Sequence, residues 1–372
     1  MEAGGRRSED QVETAAARLS WSAPSQWNST LGSDLTPYLE IGGDYRQVLP
    51  GAYLIELPLP YSLGRINVYL LRRADRFMLI DCGMDTEPCF QALERALEGI
   101  GAPWAEIREI LLTHVHPDHM GLTQRLLKLT GARLLMHAEE LKYLDRLSAM
   151  DEYSAWSADV LREAGVGARM IARIGEAAHE IHKSFRRLEP HQRLHGGEKI
   201  QSEAGELEVL WTPGHSPGHI CLYGTGRRVL FAGDQILEHI SPNIGWHPEQ
   251  DPLGDYLASL DVLERLEIDL ILPSHGAPFS GHRDWIRKTR EHHAERCTRI
   301  LGLLNGRSAS ATDLVPGLWD RELTPFHYRF AVFEILAHLE HLERQSKVAR
   351  VRQGEVVRWR VNGGTAGHNK QD

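Results

Sequence analysis

The chain has 372 residues, 42% of them hydrophobic and 25% charged, and a formal net charge of -9. That length exceeds the usual single domain, so one large domain plus a small one is expected, with enough apolar residue for a sizeable core. The negative balance argues against broad, sequence-independent attraction to nucleic acid or anionic membranes, and no run reaches the roughly 18 apolar residues that cross a bilayer.

Residues 1–45 are rich in Ser, Gly, Glu and Arg and read as a flexible leader, with Trp21 and Trp27 as its candidate anchors. The first ten residues are polar and lack the apolar core of a secretory signal, so a cytoplasmic protein is expected. Cys82, Cys89, Cys221 and Cys297 are scattered without C-x-x-C spacing, which suits small residues of a reducing compartment better than a disulfide frame or a thiolate zinc site. Residues 52–57, 66–71 and 77–81 read as strands, and 86–98 as a helix.

Residues 107–112 form a mostly apolar run of strand character, and Leu122, Leu126, Leu127 and Leu129 recur at helical spacing before Gly131 as a stop. Between them lies Thr113-His114-Val115-His116-Pro117-Asp118-His119-Met120-Gly121. Three imidazoles and a carboxylate within so short a span are hard to explain as packing. A histidine pair at i and i+2 leaving a strand end can aim both rings at one centre, and the Asp-His pair that follows turns back toward the same side. Imidazole nitrogens suit zinc at about 2.0–2.1 Å and carboxylate oxygens at about 2.0–2.2 Å, so a metal site is the working reading.

Residues 133–137 read as a strand ending in His137, which has no clustered partner. A helical insertion at 139–186 follows, carrying Leu141, Tyr143, Leu144, Leu147, Tyr153, Trp156 and Leu161. Such spacing is that of helices packed on their own domain. Because the segment emerges near the ligand edge, Tyr153 and Trp156 are also candidate wall or lid residues for a substrate with an apolar portion.

Further strands are expected at 199–201, 207–211, 220–223 and 229–231, and a helix starts at Asp251-Pro252. The strand at 207–211 runs into Thr212-Pro213-Gly214-His215-Ser216-Pro217-Gly218-His219, that at 229–231 into Ala232-Gly233-Asp234, and a strand at 270–273 into Ser274-His275-Gly276. Each candidate ligand sits just past the carboxyl end of a strand, where several strands of one sheet can converge on a common edge. Two blocks of strands with helices attached suggest an α/β fold, a four-layer αβ/βα sandwich. A charged helix from Gly281 links across 286–305 to helices at 309–318 and 328–345, then to strands at 348–351 and 356–361. His292, His293, His338 and His341 are expected on exposed helix faces.

The cluster His-x-His-x-Asp-His, with the later Pro-Gly-His, Gly-Asp and Ser-His-Gly motifs in order, resembles the signature of the metallo-β-lactamase superfamily. The resemblance implies a catalytic domain over 46–285 with that sandwich fold. The helices and basic hairpin over 306–362 resemble the winged-helix-like α+β domain appended to one branch of the superfamily, with 363–372 as a tail. It also implies two divalent metal ions, one held by His114, His116 and His215, the other by Asp118, His119 and His275, with Asp234 bridging them. Zinc fits the mixed N/O set best, and manganese or iron stays open. Asp81-Cys82-Gly83 resembles the superfamily's Asp-x-Gly, which supports the ligands from behind, and His219 is a second such supporter beside a structural reading.

The implied enzyme is a binuclear metal-dependent hydrolase in which a metal-bridging hydroxide attacks a carbonyl carbon or a phosphorus, with Asp118 as the catalytic group that holds or shuttles the proton. His116 stands where oxygen-reducing diiron relatives use Glu, which disfavours redox chemistry. Gln235-Ile236-Leu237 follows the bridging Asp where many lactonases carry a Tyr. The leading expectation is an ester, lactone or thioester with an apolar acyl part. The alternative is a single-strand-specific endoribonuclease using Lys347, Arg350, Arg352, Arg358 and Arg360 near the hairpin. A second alternative is a nucleic-acid-binding regulator whose metal domain acts as a sensor.

Overall fold

The apolar runs become strands of two sheets. The structure is a computed structural model and describes residues 39–40, 45–60 and 64–362. The first sheet takes eight strands in chain order, β1 (Leu39–Glu40), β2 (Tyr45–Leu49), β3 (Ala52–Pro58), β4 (Arg65–Arg73), β5 (Arg76–Ile80), β6 (Ile107–Leu111), β7 (Arg133–His137) and β8 (Gln192–Leu194). Its first five strands are antiparallel, and its last four are parallel. Parallel neighbours need crossovers. These are supplied by α1 (Glu87–Ile100), by α2 (Pro117–Met120) with α3 (Thr123–Thr130), and by α4 (Ala138–Ser148), α5 (Met150–Glu163) and α6 (Ala168–His182).

The second sheet has five strands in the order β13-β12-β11-β10-β9. They are β9 (Lys199–Ser202), β10 (Gly205–Trp211), β11 (Ile220–Gly224), β12 (Val229–Gly233) and β13 (Leu270–Pro273), the last reached through α7 (Pro252–Glu264) and parallel to β12. Side chains alternate across a strand, so each sheet presents two faces. Leu54, Tyr69, Met78 and Ile80 of the first sheet meet Leu207, Val209, Leu222 and Phe231 of the second. Tyr69 and Phe231 meet edge to face, their ring centroids 5.2 Å apart. The outer face of the first sheet packs on Leu93, Leu97, Leu126 and Leu144, and that of the second on Tyr256, Leu260 and Ile286. This is the four-layer sandwich expected.

The small C-terminal domain follows α8 (His282–Leu304) and contains α9 (Ala311–Leu318), α10 (Pro325–Arg344) and the antiparallel pair β14 (Val348–Gln353) and β15 (Val356–Val361). Ser310 opens α9 with a capping box, and Thr324 followed by Pro325 starts α10 three residues earlier than its apolar stripe suggests. Its core is shared: Leu161 of α5 and Ile174 of α6 join Leu314, Phe333 and Leu339. The helical insertion therefore buries much of its apolar stripe against the C-terminal helices.

Two expectations need correction. The chain enters the first sheet at Leu39, inside the segment read as a leader, because β1 pairs with β2. Residues 1–38, with Trp21 and Trp27, and the tail 363–372 lie outside the described residues. His293 and His338 are buried, at 3% and 0% exposure, because α8 and α10 face each other, and His293 Nδ1 lies 3.2 Å from His338 Nε2.

Candidate metal centre

The first arm of the site is built on Asp81. This residue takes φ +57°, a left-handed conformation that Asp tolerates better than most residues, as β5 turns out of the sheet. Its carboxylate accepts from Thr113 N at 2.8 Å, from Thr113 Oγ1 at 2.7 Å and from His119 Nδ1 at 2.8 Å. The strand end carrying His114 and His116 is thereby tied to α2, whose single turn swings Asp118 and His119 back to the same side.

The other arms are held just as locally. Asp234 follows Gly233, where φ is +53° and a Cβ would sit 2.6 Å from His219 Nε2. Gly there lets His219 Nε2 accept from Asp234 N at 3.1 Å, while its Nδ1 pairs with Thr212 Oγ1 at 2.9 Å. Asn67 of β4 donates to Pro273 O at 2.9 Å and to Gly276 O at 2.7 Å, clamping the turn that carries His275. Glu140 is fully buried at the start of α4 and accepts from Val115 N at 2.9 Å and from Gly218 N at 2.7 Å. One carboxylate thus ties the first ligand loop to the second.

The hydrogen bonds assign the ring tautomers, since a carbonyl or carboxylate can only accept. His119 Nδ1 donates to Asp81, His215 Nδ1 to Asn243 O at 3.0 Å, and His275 Nδ1 to Arg65 O at 3.0 Å. Thr113 Oγ1 spends its proton on Asp81, so it accepts from His114 Nδ1 at 3.0 Å. All four rings then present a bare Nε2 inward. His116 instead presents Nδ1, 2.9 Å from His114 Nε2 and 3.0 Å from His215 Nε2.

Lone pairs so close repel unless a cation lies between them. A tetrahedral ion with nitrogen ligands at about 2.0–2.1 Å sets those atoms roughly 3.3 Å apart, near the spacing seen. His114, His116, His215 and Asp234 offer atoms within 4.8 Å of one another, and so do Asp118, His119 and His275. The two oxygens of Asp234 divide between these groups, Oδ2 3.5 Å from His215 Nε2 and Oδ1 3.5 Å from His119 Nε2. His119 Nε2 and Asp234 Oδ1 are buried with no hydrogen-bond partner. The residues therefore fit divalent cations, and the rings of His114, His119, His215 and His275 are each oriented by a partner on the far nitrogen as ligating histidines usually are.

Electrostatics points the same way. Burial and the neighbouring rings hold His114 well below the usual histidine pKa, and burial with His215 lowers His116 to about 3, so both are neutral donors. Burial opposes charge on His119 and His275, yet Asp234 and Asp118, with Asp81 for His119, hold both above the ordinary value. Burial likewise opposes ionisation of Asp118, but His119 and His275 bring it down to about 2. This half of the cluster draws positive charge, from protons when no cation is present, so protons and metal compete for it.

All seven residues singled out in the sequence meet here, with Asp81 and His219 directly behind them. Tyr153 and Trp156 lie on α5. The Tyr153 hydroxyl accepts from Arg329 at 2.8 Å, and the Trp156 ring lies 6.3 Å from Trp246 and 6.1 Å from Phe333. His137 caps α4 and stacks on Trp211 at 5.1 Å. Sequence reasoning missed Glu140, whose carboxyl burial pushes up to about 7 against N–H donors that favour its ionised form. Its one signal is an acidic residue in an otherwise apolar helix face.

Residues 61–275 match the family profile of the Metallo-beta-lactamase superfamily, and residues 297–362 that of the Metallo-beta-lactamase-like, C-terminal domain. The "Probable metallo-hydrolase YqjP" of Bacillus subtilis is 27% identical over 322 residues, covering 82% of this chain and 95% of that protein. The "Acyl-coenzyme A thioesterase MBLAC2" of Gallus gallus is 30% identical over 245 residues, 63% of this chain and 80% of that protein. A metallo-beta-lactamase family protein from Thermus thermophilus superposes with a TM-score of 0.75 at 33% identity, covering 85% of this chain and 100% of that one. Among the described residues no helix is long and apolar enough to cross a membrane. The chain belongs to the metallo-beta-lactamase superfamily, as a metallo-hydrolase with a small C-terminal domain.

Proposed function

We propose that the protein hydrolyses a thioester or related acyl ester at a centre of two divalent cations, zinc being the ion that best suits the donors. The observation that carries this reading is the convergence of bare imidazole nitrogens in two groups, with the oxygens of Asp234 facing one group each. His114, His116 and His215 would hold one ion, Asp118, His119 and His275 the other, and Asp234 both. Ions so bound supply Lewis acidity and make a coordinated water acidic near neutral pH. Thioesterase relatives favour an acyl substrate, with a thiol as leaving group.

The chain's own contribution is positional. Asp118 is the most exposed of the acidic donors, its side chain 18% accessible against 10% for Asp234. Its ionised carboxylate, 3.3 Å from His275 Nε2, is placed to accept a hydrogen bond from attacking water and to pass its proton toward the solvent. Glu140, Asp81 and Asn67 fix the loops so that little reorganisation is left for the reaction.

The nuclease alternative has weaker support. Arg350 is bound by Glu340 and Glu343, Arg352 pairs with Glu163, and Arg358 with Asp313, so three of the five hairpin cations face carboxylates rather than an open basic face. The test is turnover of medium-chain acyl thioesters by the zinc-loaded chain, with Asp118→Ala beside it. The variant should lose about one metal equivalent and at least about a hundredfold in kcat. Full activity with both metals retained would overturn the assignment.

A further inference from the structure

A second polar cluster lies beside the metal centre. Tyr143 stands one turn after Glu140 on α4, about 5 Å along the helix from the carboxylate that holds Val115 N. His247 follows by four residues the Asn243 carbonyl that backs His215. The two rings meet edge to face with centroids 4.9 Å apart. Each residue is only 9% exposed, yet neither the Tyr143 hydroxyl nor the His247 ring nitrogens have a hydrogen-bond partner among the described residues. They are not among the fully enclosed polar atoms of the described residues, so the hydroxyl and the ring open from an otherwise buried pair toward water or a ligand.

Two arginines flank the pair. The Arg146 guanidinium lies 5.8 Å from the centre of the Tyr143 ring. Arg329, from α10 of the C-terminal domain, donates to the Tyr153 hydroxyl at 2.8 Å and lies 4.4 Å over the Phe333 ring. Among the described residues neither guanidinium has a carboxylate within salt-bridge distance, whereas most arginines around them are paired. The Tyr153 ring that Arg329 reaches lies 5.2 Å from Trp156, which lies 6.3 Å from Trp246, the residue before His247. Burial with the Arg146 and Arg329 charges pushes the His247 imidazole down to about 3, leaving it neutral. Neutral His and Tyr can both donate a hydrogen bond, and the arginines add positive charge to the same corner.

We propose that Tyr143, His247, Arg146 and Arg329 form an anion-binding subsite beside the metal centre, one that takes a carboxylate or phosphate carried by the acyl substrate. The proposal rests on the acyl-hydrolase reading for its substrate and on the cluster alone for its anion. It makes the C-terminal domain part of substrate selection, since Arg329 comes from α10.

Matched thioesters test it on the zinc-loaded full chain. Pentanoyl and glutaryl thioesters of N-acetylcysteamine differ by a terminal carboxylate on the acyl part. Pentanoyl-coenzyme A differs from the first by the rest of pantetheine and a phosphorylated adenosine diphosphate on the leaving thiol, whose anionic share is read from the arginine variants. At least one anionic member should be preferred by about tenfold in kcat/KM, mostly through KM, the size expected of one charge-assisted hydrogen bond. A glutaryl preference locates the anion on the acyl part, and a coenzyme A preference locates it on the leaving group. Arg329→Gln and Arg146→Gln should each remove most of that preference and leave the neutral thioester within about twofold. Arg146 is exposed, so its variant does not threaten the fold. No preference in the parent chain, or equal losses on neutral and anionic substrates, overturns the subsite.

If no thioester is turned over, the function reading fails while the subsite is still decided by binding. Trp246 precedes His247 in the chain, and glutarate or inorganic phosphate should change tryptophan fluorescence with an affinity about tenfold weaker in both variants. Identical titrations in parent and variants, or no response in the parent, overturn it.

Discussion

Replacing Glu140 isolates the contact that joins two ligand loops. Its carboxylate accepts from Val115 N, between His114 and His116, and from Gly218 N, three residues past His215. Both backbone groups are buried. Glu140→Ala leaves two buried N–H donors unsatisfied, each at about 1–3 kcal/mol, so unfolding free energy should fall by about 2–6 kcal/mol. Glu140→Gln keeps one amide oxygen and turns an NH2 toward the other donor, so it should cost about half as much. Urea denaturation at pH 8, where the carboxyl is ionised, gives the stability, and the midpoint should drop with the slope unchanged. Metal equivalents after dialysis give the second readout, because both loops carry candidate ligands to the same ion. An Ala variant of parental stability that keeps its full metal content would refute the reasoning.

Asp81→Asn removes a charged acceptor from His119 Nδ1 and the Thr113 hydroxyl, and should weaken metal binding about 10–100-fold in a chelator competition. Acid sensitivity should come partly from His338. Burial and the Arg296 charge lower it to about 3, against about 6.5 in an unfolded chain. A depressed pKa contributes stability that is complete above about 6.5 and lost as pH falls toward 3, so pH 5 should cost about 2 kcal/mol. His338→Gln should flatten the stability profile between pH 6.5 and 5, and an unchanged slope in that variant would contradict the assignment.

The ligand loops were legible because their chemistry is local. His114, His116, Asp118 and His119 fall within one turn of chain, and His215, Asp234 and His275 each follow an apolar run that could only be a buried strand. Both sheets followed from such apolar runs, except β1 and β2, which lie in or just past the segment read as a leader, and β8, whose three residues carry a single buried apolar side chain. What the chain did not disclose depends on partners far away in sequence. Glu140 has meaning only once Val115 and Gly218 approach it, and Arg329 only once α10 lies beside α5. The apolar stripe holding Tyr153 and Trp156 announced a buried face without saying which neighbour buries it. His293 looked solvated because polar residues surround it along α8, and His338 because its place in an apolar run gave no sign of a partner; the packing of α8 on α10 encloses both.

The C-terminal domain reaches the candidate metal centre through a second path, which predicts a part for it in metal retention. Arg296 of α8 pairs with Glu334 of α10 at 2.7 Å, Glu334 accepts from Asn243 Nδ2 at 3.3 Å, and the Asn243 carbonyl accepts from His215 Nδ1. Glu334→Ala strands a largely buried guanidinium and should cost about 3–5 kcal/mol of stability. Asn243→Ala removes only the long side-chain bond and should cost under about 1 kcal/mol, while loosening the carbonyl that orients His215 and weakening metal binding about tenfold. If the path acts as a unit, the two changes made together should lower metal affinity by less than the product of their separate effects. A coupling of about 0.5–1.5 kcal/mol is the scale expected for neighbouring groups. Strictly additive losses, or parental metal affinity in Asn243→Ala, would mean that α10 supports the sandwich without holding this ligand in place.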